Sequence, residues 1–117
     1  MPTLPRDRNK DRLVHITADR LIYDTAKSEK LGQATGKARR GSAAQIRDRT
    51  WTETLYQTPK GRLFLACRGG RRSRHRKGDG DAARAGQHIE PYTQAQALQW
   101  CLDKGKKDLF AKLITEG

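Results

Sequence analysis

TWTETLYQTPKGRLFLACR, residues 50–68, is the densest apolar and aromatic stretch of the chain and predicts a β-hairpin. Trp51, Leu55 and the threonines between them alternate at a period of two, which is typical of a half-buried strand. Pro59 and Gly61 indicate the turn, because proline presets φ and glycine accepts a positive φ. The returning strand divides its apolar side chains between two faces, with Leu63, Leu65 and Cys67 on one and Phe64 and Ala66 on the other.

The segments around this hairpin predict an α+β fold, in which a small antiparallel sheet is packed by one or two C-terminal helices. Thr93 and Gln96 have the spacing of a capping box, which predicts a helix over 94–104, and a second apolar stripe predicts a helix over 107–115. Short strands are predicted at 13–17, 21–23 and 87–90, although a helix over 17–25 fits the same pattern. The predicted core consists mainly of leucines: Leu55, Leu63, Leu65, Leu98, Leu102, Leu109 and Leu113.

Composition divides the chain at about residue 50. Residues 1–49 are basic, and residues 24–49 are rich in Gly, Ala, Ser and Lys with few large apolar side chains. Such a composition offers little apolar surface to offset the entropy of ordering, so we expect a partly flexible segment with a short helix near 42–48. Residues 50–117 are expected to form the compact unit, with an Arg-rich loop over 68–81.

The charge of the chain is strongly unbalanced. In 117 residues, Lys and Arg number 25 against 13 acidic residues, which gives a formal net charge of +12, and the pI is about 10.3. This balance favours a polyanionic partner, DNA or RNA. No apolar run is long enough to span a bilayer, and the N-terminus lacks the apolar region of a secretory signal. Two cysteines in such a chain indicate reduced thiols, so we expect a cytoplasmic protein without a membrane partner.

The Arg-rich loop is the strongest functional signal. Six of the ten residues 68–77 are Arg or Lys, and glycines flank them. Arginine suits phosphate because its planar guanidinium donates two parallel hydrogen bonds. Nearby aromatic residues, Trp51, Tyr56 and Phe64, would stack on bases if exposed, but core packing is the commoner role of such side chains. The predicted phosphate contacts are Arg68, Arg71, Arg72, Arg74, Arg76 and Lys77, with Arg39 and Arg40 adding to them.

The remaining chemistry-bearing residues predict neither a metal site nor catalysis. Cys67, His75, His88 and Cys101 are ligand types that zinc accepts, but they lack the paired spacing of a zinc knuckle, and both cysteines are expected to pack as small hydrophobes. Asp79 and Asp81 lack the rest of a calcium loop. Glu53 with His75 or His88 would make an acid–base pair, yet no nucleophile motif accompanies it. We therefore expect no cofactor and no enzyme activity.

The hairpin and the first C-terminal helix together resemble a group of small bacterial mobile-element proteins from plasmids and phages. The shared pattern is E-T-L-Y-x-x-x-x-G-x-x-F-L-x-x-x-G-G followed by a Thr-capped helix with Ala and Trp on one face, and it covers roughly residues 52–114. The resemblance implies a hairpin packed by helices, implies no reaction, and does not include the Arg-rich insertion after Gly70. The matching positions are Glu53, Thr54, Leu55, Tyr56, Gly61, Phe64, Leu65, Gly69, Gly70, Thr93, Ala97 and Trp100.

These patterns favour a non-enzymatic nucleic-acid-binding accessory protein of a mobile element that contacts mainly phosphates. The alternative is a protein-binding inhibitor of a host defence complex, a nuclease or a CRISPR-type complex. A third possibility is a basic protein that associates with RNA or the ribosome. The first hypothesis requires a positive surface in which the arginines are not all paired with the protein's own carboxylates.

Overall fold

The fold of this computed structural model is mixed α+β, as predicted. The structure describes residues 12–36, 40–78 and 83–115. Two antiparallel sheets, one of two strands and one of four, combine with three α-helices. In chain order the elements are β1 (Val14–Ile16), β2 (Ile22–Asp24), β3 (Glu29–Gly36), α1 (Ala43–Arg49), β4 (Trp51–Gln57), β5 (Leu63–Gly69), β6 (Gly86–Tyr92), α2 (Gln94–Asp103) and α3 (Lys107–Thr115).

The predicted hairpin forms the centre of the four-stranded sheet. The strand order is β3-β4-β5-β6, and each neighbouring pair is antiparallel. In the turn, the Thr58 N–H donates to the Arg62 carbonyl at 2.8 Å, and Gly61 has a φ of +89°. Strand β6 confirms the predicted third strand. Pro91 lies within β6, which is an edge strand, so no neighbouring strand on the open side requires the N–H that proline lacks.

The two C-terminal helices cover one face of this sheet. Helix α2 begins at the predicted capping box, in which Thr93 and Gln96 each accept a hydrogen bond from the other's backbone N–H. The buried residues of β5 that face the helices are Leu63, Leu65 and Cys67, as the alternation predicted. The core on this side consists of Leu55, Leu63, Leu65, Cys67, Ala97, Trp100, Cys101 and Leu113.

The β1–β2 ribbon packs on the opposite face. Here Tyr23 meets Phe64 edge-on at 5.5 Å between ring centroids, and Tyr56 stacks on Phe64 at 5.2 Å. Residues 22–24 are therefore a strand, and the alternative of a helix over 17–25 is wrong. This second core contains Leu13, Tyr23, Phe64, Ala66 and Ile89, so the sheet is buried on both faces.

Two sequence-based predictions are wrong. Leu102 was assigned to the core, but it is 59% exposed, because α2 turns Ala97, Trp100 and Cys101 inwards. The interpretation of residues 24–49 as a partly flexible segment fails for β3, which pairs with β4 from Glu29 to Gly36, whereas α1 confirms the short helix expected near 42–48. Backbone pairing orders β3 even though Leu31 is its single large apolar residue.

No helix in the described parts of the chain is both long enough and apolar enough to cross a membrane.

Candidate functional site

The end of α1 and the loop after β5 meet on one surface. We call residues 70–78 the arginine loop. Its Gly70 N–H donates to the Thr50 carbonyl at 3.0 Å, and its Arg72 N–H donates to the Asp48 carbonyl at 2.7 Å. A Cβ at Gly70 would lie 2.3 Å from the Arg47 carbonyl oxygen, so only glycine fits this close approach. The loop is thereby held against the last turn of the helix.

Four arginines flank this contact, and we call them the basic face: Arg47 and Arg49 from α1, and Arg71 and Arg72 from the arginine loop. All four are exposed. The Arg71 Nε donates to the Asp48 carboxylate at 2.8 Å. No carboxylate of the described residues lies within ion-pair distance of the other three. The basic face thus keeps an excess of positive charge.

The arginine loop is packed on the sheet instead of extending from it. Ser73 and His75 are buried, and the His75 N–H donates to the Ser73 Oγ at 3.2 Å. Gly69 and Gly86 face each other across β5 and β6. A Cβ at Gly69 would lie 1.9 Å from the Ser73 Oγ, and one at Gly86 would lie 2.1 Å from the His75 carbonyl oxygen.

The structure separates the predicted phosphate contacts into several groups. Arg68 belongs to β5 and lies beside Lys30 and Gln33 on the other face of the sheet, away from the basic face. Arg40 is exposed ahead of α1, whereas Arg39 lies outside the described residues, as do Asp79 and Asp81. The remaining predicted contacts, Arg71, Arg72, Arg74, Arg76 and Lys77, are exposed on the arginine loop.

The ring of Trp51 makes cation–π contacts and is not an open surface on which a base could stack. The Arg74 guanidinium lies 5.2 Å from its ring centroid and the Lys104 Nζ lies 4.5 Å from it. Tyr56 and Phe64 stack on each other in the second core. The core interpretation of the aromatic residues is therefore confirmed for Phe64, while the ring of Trp51 is occupied by cations and one face of Tyr56 by Phe64.

Glu53 is a buried carboxylate under the arginine loop, with a solvent-exposed fraction of 3%. Its Oε1 accepts a hydrogen bond from the Trp100 Nε1 at 3.0 Å, and its Oε2 lies 2.6 Å from the His75 Nε2. The Lys104 Nζ lies 3.6 Å from Oε1. Burial raises the pKa of Glu53, but the bonds from Trp100 and His75 and the charge of Lys104 outweigh it and hold the pKa below its ordinary value. Glu53 is therefore ionised at neutral pH.

Three of the four zinc-type residues noted in the sequence come together next to Glu53. Cys67 pairs with Glu53 on one side and with His88 on the other, so the strand register places all three in one row across the sheet. His75 reaches this row from the arginine loop. The Cys67 Sγ and one ring nitrogen of each histidine all lie within 4.8 Å of one another. We call these three residues the Cys-His-His cluster; Cys101 is not part of it.

The cluster is not arranged for nucleophilic catalysis. Cys67 is completely buried, and burial, helped by the charges of Glu90 and Glu53, raises the pKa of its thiol to about 12. In the absence of a metal the thiol is therefore protonated at neutral pH and out of reach of a substrate. The chemistry that this residue set does offer is metal coordination.

Sequence reasoning recognised the ligand types but expected no site, because the usual signal is a short spacing such as C-x2-C. Here the spacing is long, and cross-strand pairing and loop packing produce the proximity. The available signal was that Cys67 and His88 both lie on predicted strands. The register that places them opposite each other is a tertiary property.

Comparison of the chain with protein-family models, with curated proteins and with solved structures found no match. The geometry of the described residues therefore carries the functional argument.

Proposed function

We propose that this protein binds nucleic acid, mainly through its phosphates, by means of the basic face. The single observation that carries the proposal is the packing of the arginine loop on the end of α1. Two segments separated by more than twenty residues thereby meet, and Arg47, Arg49, Arg71 and Arg72, which flank the contact, are all exposed. A linear charge run is often only a solvated loop, whereas exposed arginines on two packed segments are held at positions from which they can contact phosphates.

The local backbone reduces the repulsion that a helix C-terminus usually exerts on an anion. The Ile46 carbonyl accepts from the Thr50 Oγ1 at 2.7 Å, the Arg47 carbonyl accepts from the Thr50 N–H at 3.3 Å, and the Asp48 carbonyl accepts from the Arg72 N–H at 2.7 Å. These bonds satisfy three of the last four carbonyls of α1, which carry the negative end of the helix dipole. The arginine side chains then dominate the local potential.

Binding through phosphates predicts little sequence preference. Phosphate contacts position a protein on nucleic acid but do not distinguish bases. The described aromatic residues beside the basic face are covered by cations or stacked within the core. The role as an accessory protein of a mobile element is part of the proposal and rests on the resemblance of residues 52–114 stated above.

The test is a salt titration of the affinity for duplex DNA and for structured RNA, followed by fluorescence anisotropy. Each phosphate neutralised on duplex DNA contributes about 0.9 to the slope of log K against log salt. The triple variant Arg47→Gln, Arg49→Gln, Arg72→Gln removes three cations of the basic face that have no described carboxylate partner. Its slope should be smaller than that of the wild type by about 2 to 3.

A charge-matched control distinguishes the basic face from overall charge. Lys60→Gln, Lys106→Gln, Lys107→Gln also lowers the net charge by three, but Lys60 lies in the β4–β5 turn, at the opposite end of the hairpin from the arginine loop. The control should keep nearly the wild-type slope. Equal slopes for the two triple variants would show that the wrong surface was named, and no binding by the wild type at low salt would overturn the proposal.

A further inference from the structure

The Cys-His-His cluster has the first requirement of a metal site, which is convergence of suitable atoms. The Cys67 Sγ and one nitrogen each from His75 and His88 lie within 4.8 Å of one another. In a tetrahedral zinc site with Zn–S of about 2.3 Å and Zn–N of about 2.0 Å, neighbouring ligand atoms are roughly 3.3–3.6 Å apart. Closing around an ion therefore requires side-chain movements on the order of 1 Å, with the strands left in place.

The carboxylates around the cluster provide a second, independent indication. The His75 Nε2 lies 2.6 Å from the Glu53 Oε2, and the His88 Nε2 lies 3.0 Å from the Glu90 Oε1. A histidine that binds a metal usually donates its other ring N–H to a carboxylate or carbonyl, which fixes the tautomer and makes the ligand more basic. Both histidines thus have a carboxylate at Nε2, which is the arrangement of sites in which Nδ1 is the ligand atom.

The orientation of the Glu53 carboxylate is itself fixed by a second hydrogen bond, on the oxygen that does not contact His75. The Trp100 Nε1 donates to Oε1 at 3.0 Å, so helix α2 holds the carboxylate that in turn holds His75. Cys67 is fixed by the central strand β5, where it is completely buried. His88 lies on the edge strand with its side chain 42% exposed. Cys67 and His75 are thus buried, whereas His88 borders solvent. An ion and a solvent molecule can reach the cluster on the side of His88.

We propose that Cys67, His75 and His88 bind a divalent transition-metal ion, with zinc as the expected ion. One thiolate and two imidazoles are ligands that zinc prefers, whereas calcium and magnesium require oxygen ligands. Three protein ligands leave the fourth tetrahedral position open on the side of His88, for water or an exogenous ligand. This site goes beyond nucleic-acid binding and does not depend on it.

The ion would join three parts of the fold. Cys67 belongs to the central strand, His88 to the edge strand and His75 to the arginine loop. Coordination would therefore fix the arginine loop to the sheet, in addition to the glycine contacts and the Glu53–His75 bond. Because the unfolded chain lacks this geometry, metal binding would also stabilise the folded state.

The test is a titration of the metal-free full chain with Co²⁺, an ion that occupies zinc sites and is visible in absorption spectra. We expect one Co²⁺ per chain, a thiolate-to-cobalt charge-transfer band, the intense visible bands of tetrahedral cobalt, and displacement of all bands by Zn²⁺. No saturable spectrum in the wild type would overturn the proposal. The measurement contains no nucleic acid, so its failure is distinguishable from failure of the proposed function.

Two ligand variants and two matched controls locate the site. Cys67→Ala should lose the charge-transfer band, and His88→Ala should weaken Co²⁺ binding at least about tenfold. Since His88 is half-exposed, this second variant tests the site even if Cys67→Ala is too unstable to purify. Cys101→Ala and His15→Ala remove the other thiol and the other imidazole, which lie outside the cluster, and should bind Co²⁺ as the wild type does. An unchanged affinity in His88→Ala, or an unchanged band in Cys67→Ala, would overturn the assignment.

Discussion

Glu53 shows how one residue can connect several parts of the molecule. It lies on β4, one of the two inner strands of the sheet, yet it contacts α2 through Trp100 and the arginine loop through His75. A buried charge is tolerated only when its lone pairs are bonded and opposite charge is near. Lys104 supplies such a charge at 3.6 Å. The residue is therefore required for structure whether or not a metal binds beside it.

At this scale we predict that Glu53→Gln is strongly destabilising in the metal-free protein. The amide keeps the size of the side chain and one acceptor, but it leaves His75 and Lys104 without their carboxylate. The free energy of unfolding should fall by about 2 kcal/mol, measured by urea denaturation followed by far-ultraviolet circular dichroism.

Glu90→Gln is the matched control, because Glu90 also contacts a histidine but its side chain is 45% exposed. An exposed pair of this kind contributes less than about 1 kcal/mol. If the two variants lose equal stability, burial does not determine the role of Glu53.

Helix α2 illustrates which predictions about an element depend on its surroundings. Its start was predicted from a local signal, the Thr93 capping box, and it ends ahead of Gly105, which has a φ of +69°. The buried face of α2 was not predicted correctly, because the apolar residues of this helix extend over more than one stripe. The sheet selects Ala97, Trp100 and Cys101, because Trp100 must reach Glu53, and Leu102 is left exposed.

We therefore predict a large difference between two helical leucines. Leu113 in α3 is 5% exposed and belongs to the core, whereas Leu102 in α2 is 59% exposed. Leu113→Ala should lower the free energy of unfolding by about 2–4 kcal/mol through lost burial and the cavity left behind. Leu102→Ala should lower it by less than about 1 kcal/mol.

Thermal or urea denaturation of both leucine variants checks this assignment. A cost for Leu102→Ala as large as that for Leu113→Ala would mean that α2 is rotated relative to the orientation described.

The whole molecule is a sheet buried on both faces. The C-terminal helices cover one face, and the β1–β2 ribbon covers the other with Leu13 and Tyr23. An ion pair closes this ribbon at its base, where the Arg12 Nε donates to the Asp24 Oδ1 at 3.0 Å. In a chain with a net charge of +12, each carboxylate that becomes protonated adds to the self-repulsion of the folded state.

We predict that this pair contributes to the acid sensitivity of the fold. The hydrogen bonds from Arg12 lower the pKa of Asp24, although burial opposes them. A carboxyl group whose pKa is lower in the folded state stabilises the fold above its unfolded pKa of about 3.9. That contribution is lost as the pH falls through the folded pKa.

Asp24→Asn tests the pH dependence, because the amide oxygen can still accept from the Ala26 N–H while the charge is removed. The difference in unfolding free energy between wild type and variant should be constant near neutral pH and should shrink at pH values below about 4. Arg12→Gln should show the same trend. A difference that stays constant into strong acid would contradict the role assigned to the pair.

Local signals in the amino-acid sequence determined the hairpin, the third strand, both C-terminal helices and the basic character of the molecule. Each depends on periodicity, turn residues, caps or charge count, which act over a few neighbouring residues. Only the tertiary structure decided that β3 joins the sheet, that Arg68 faces away from the arginine loop, and that Cys67, His75 and His88 converge. These outcomes depend on strand register and on loop packing against glycines, where residues far apart in the chain meet, and no local pattern encodes such distances.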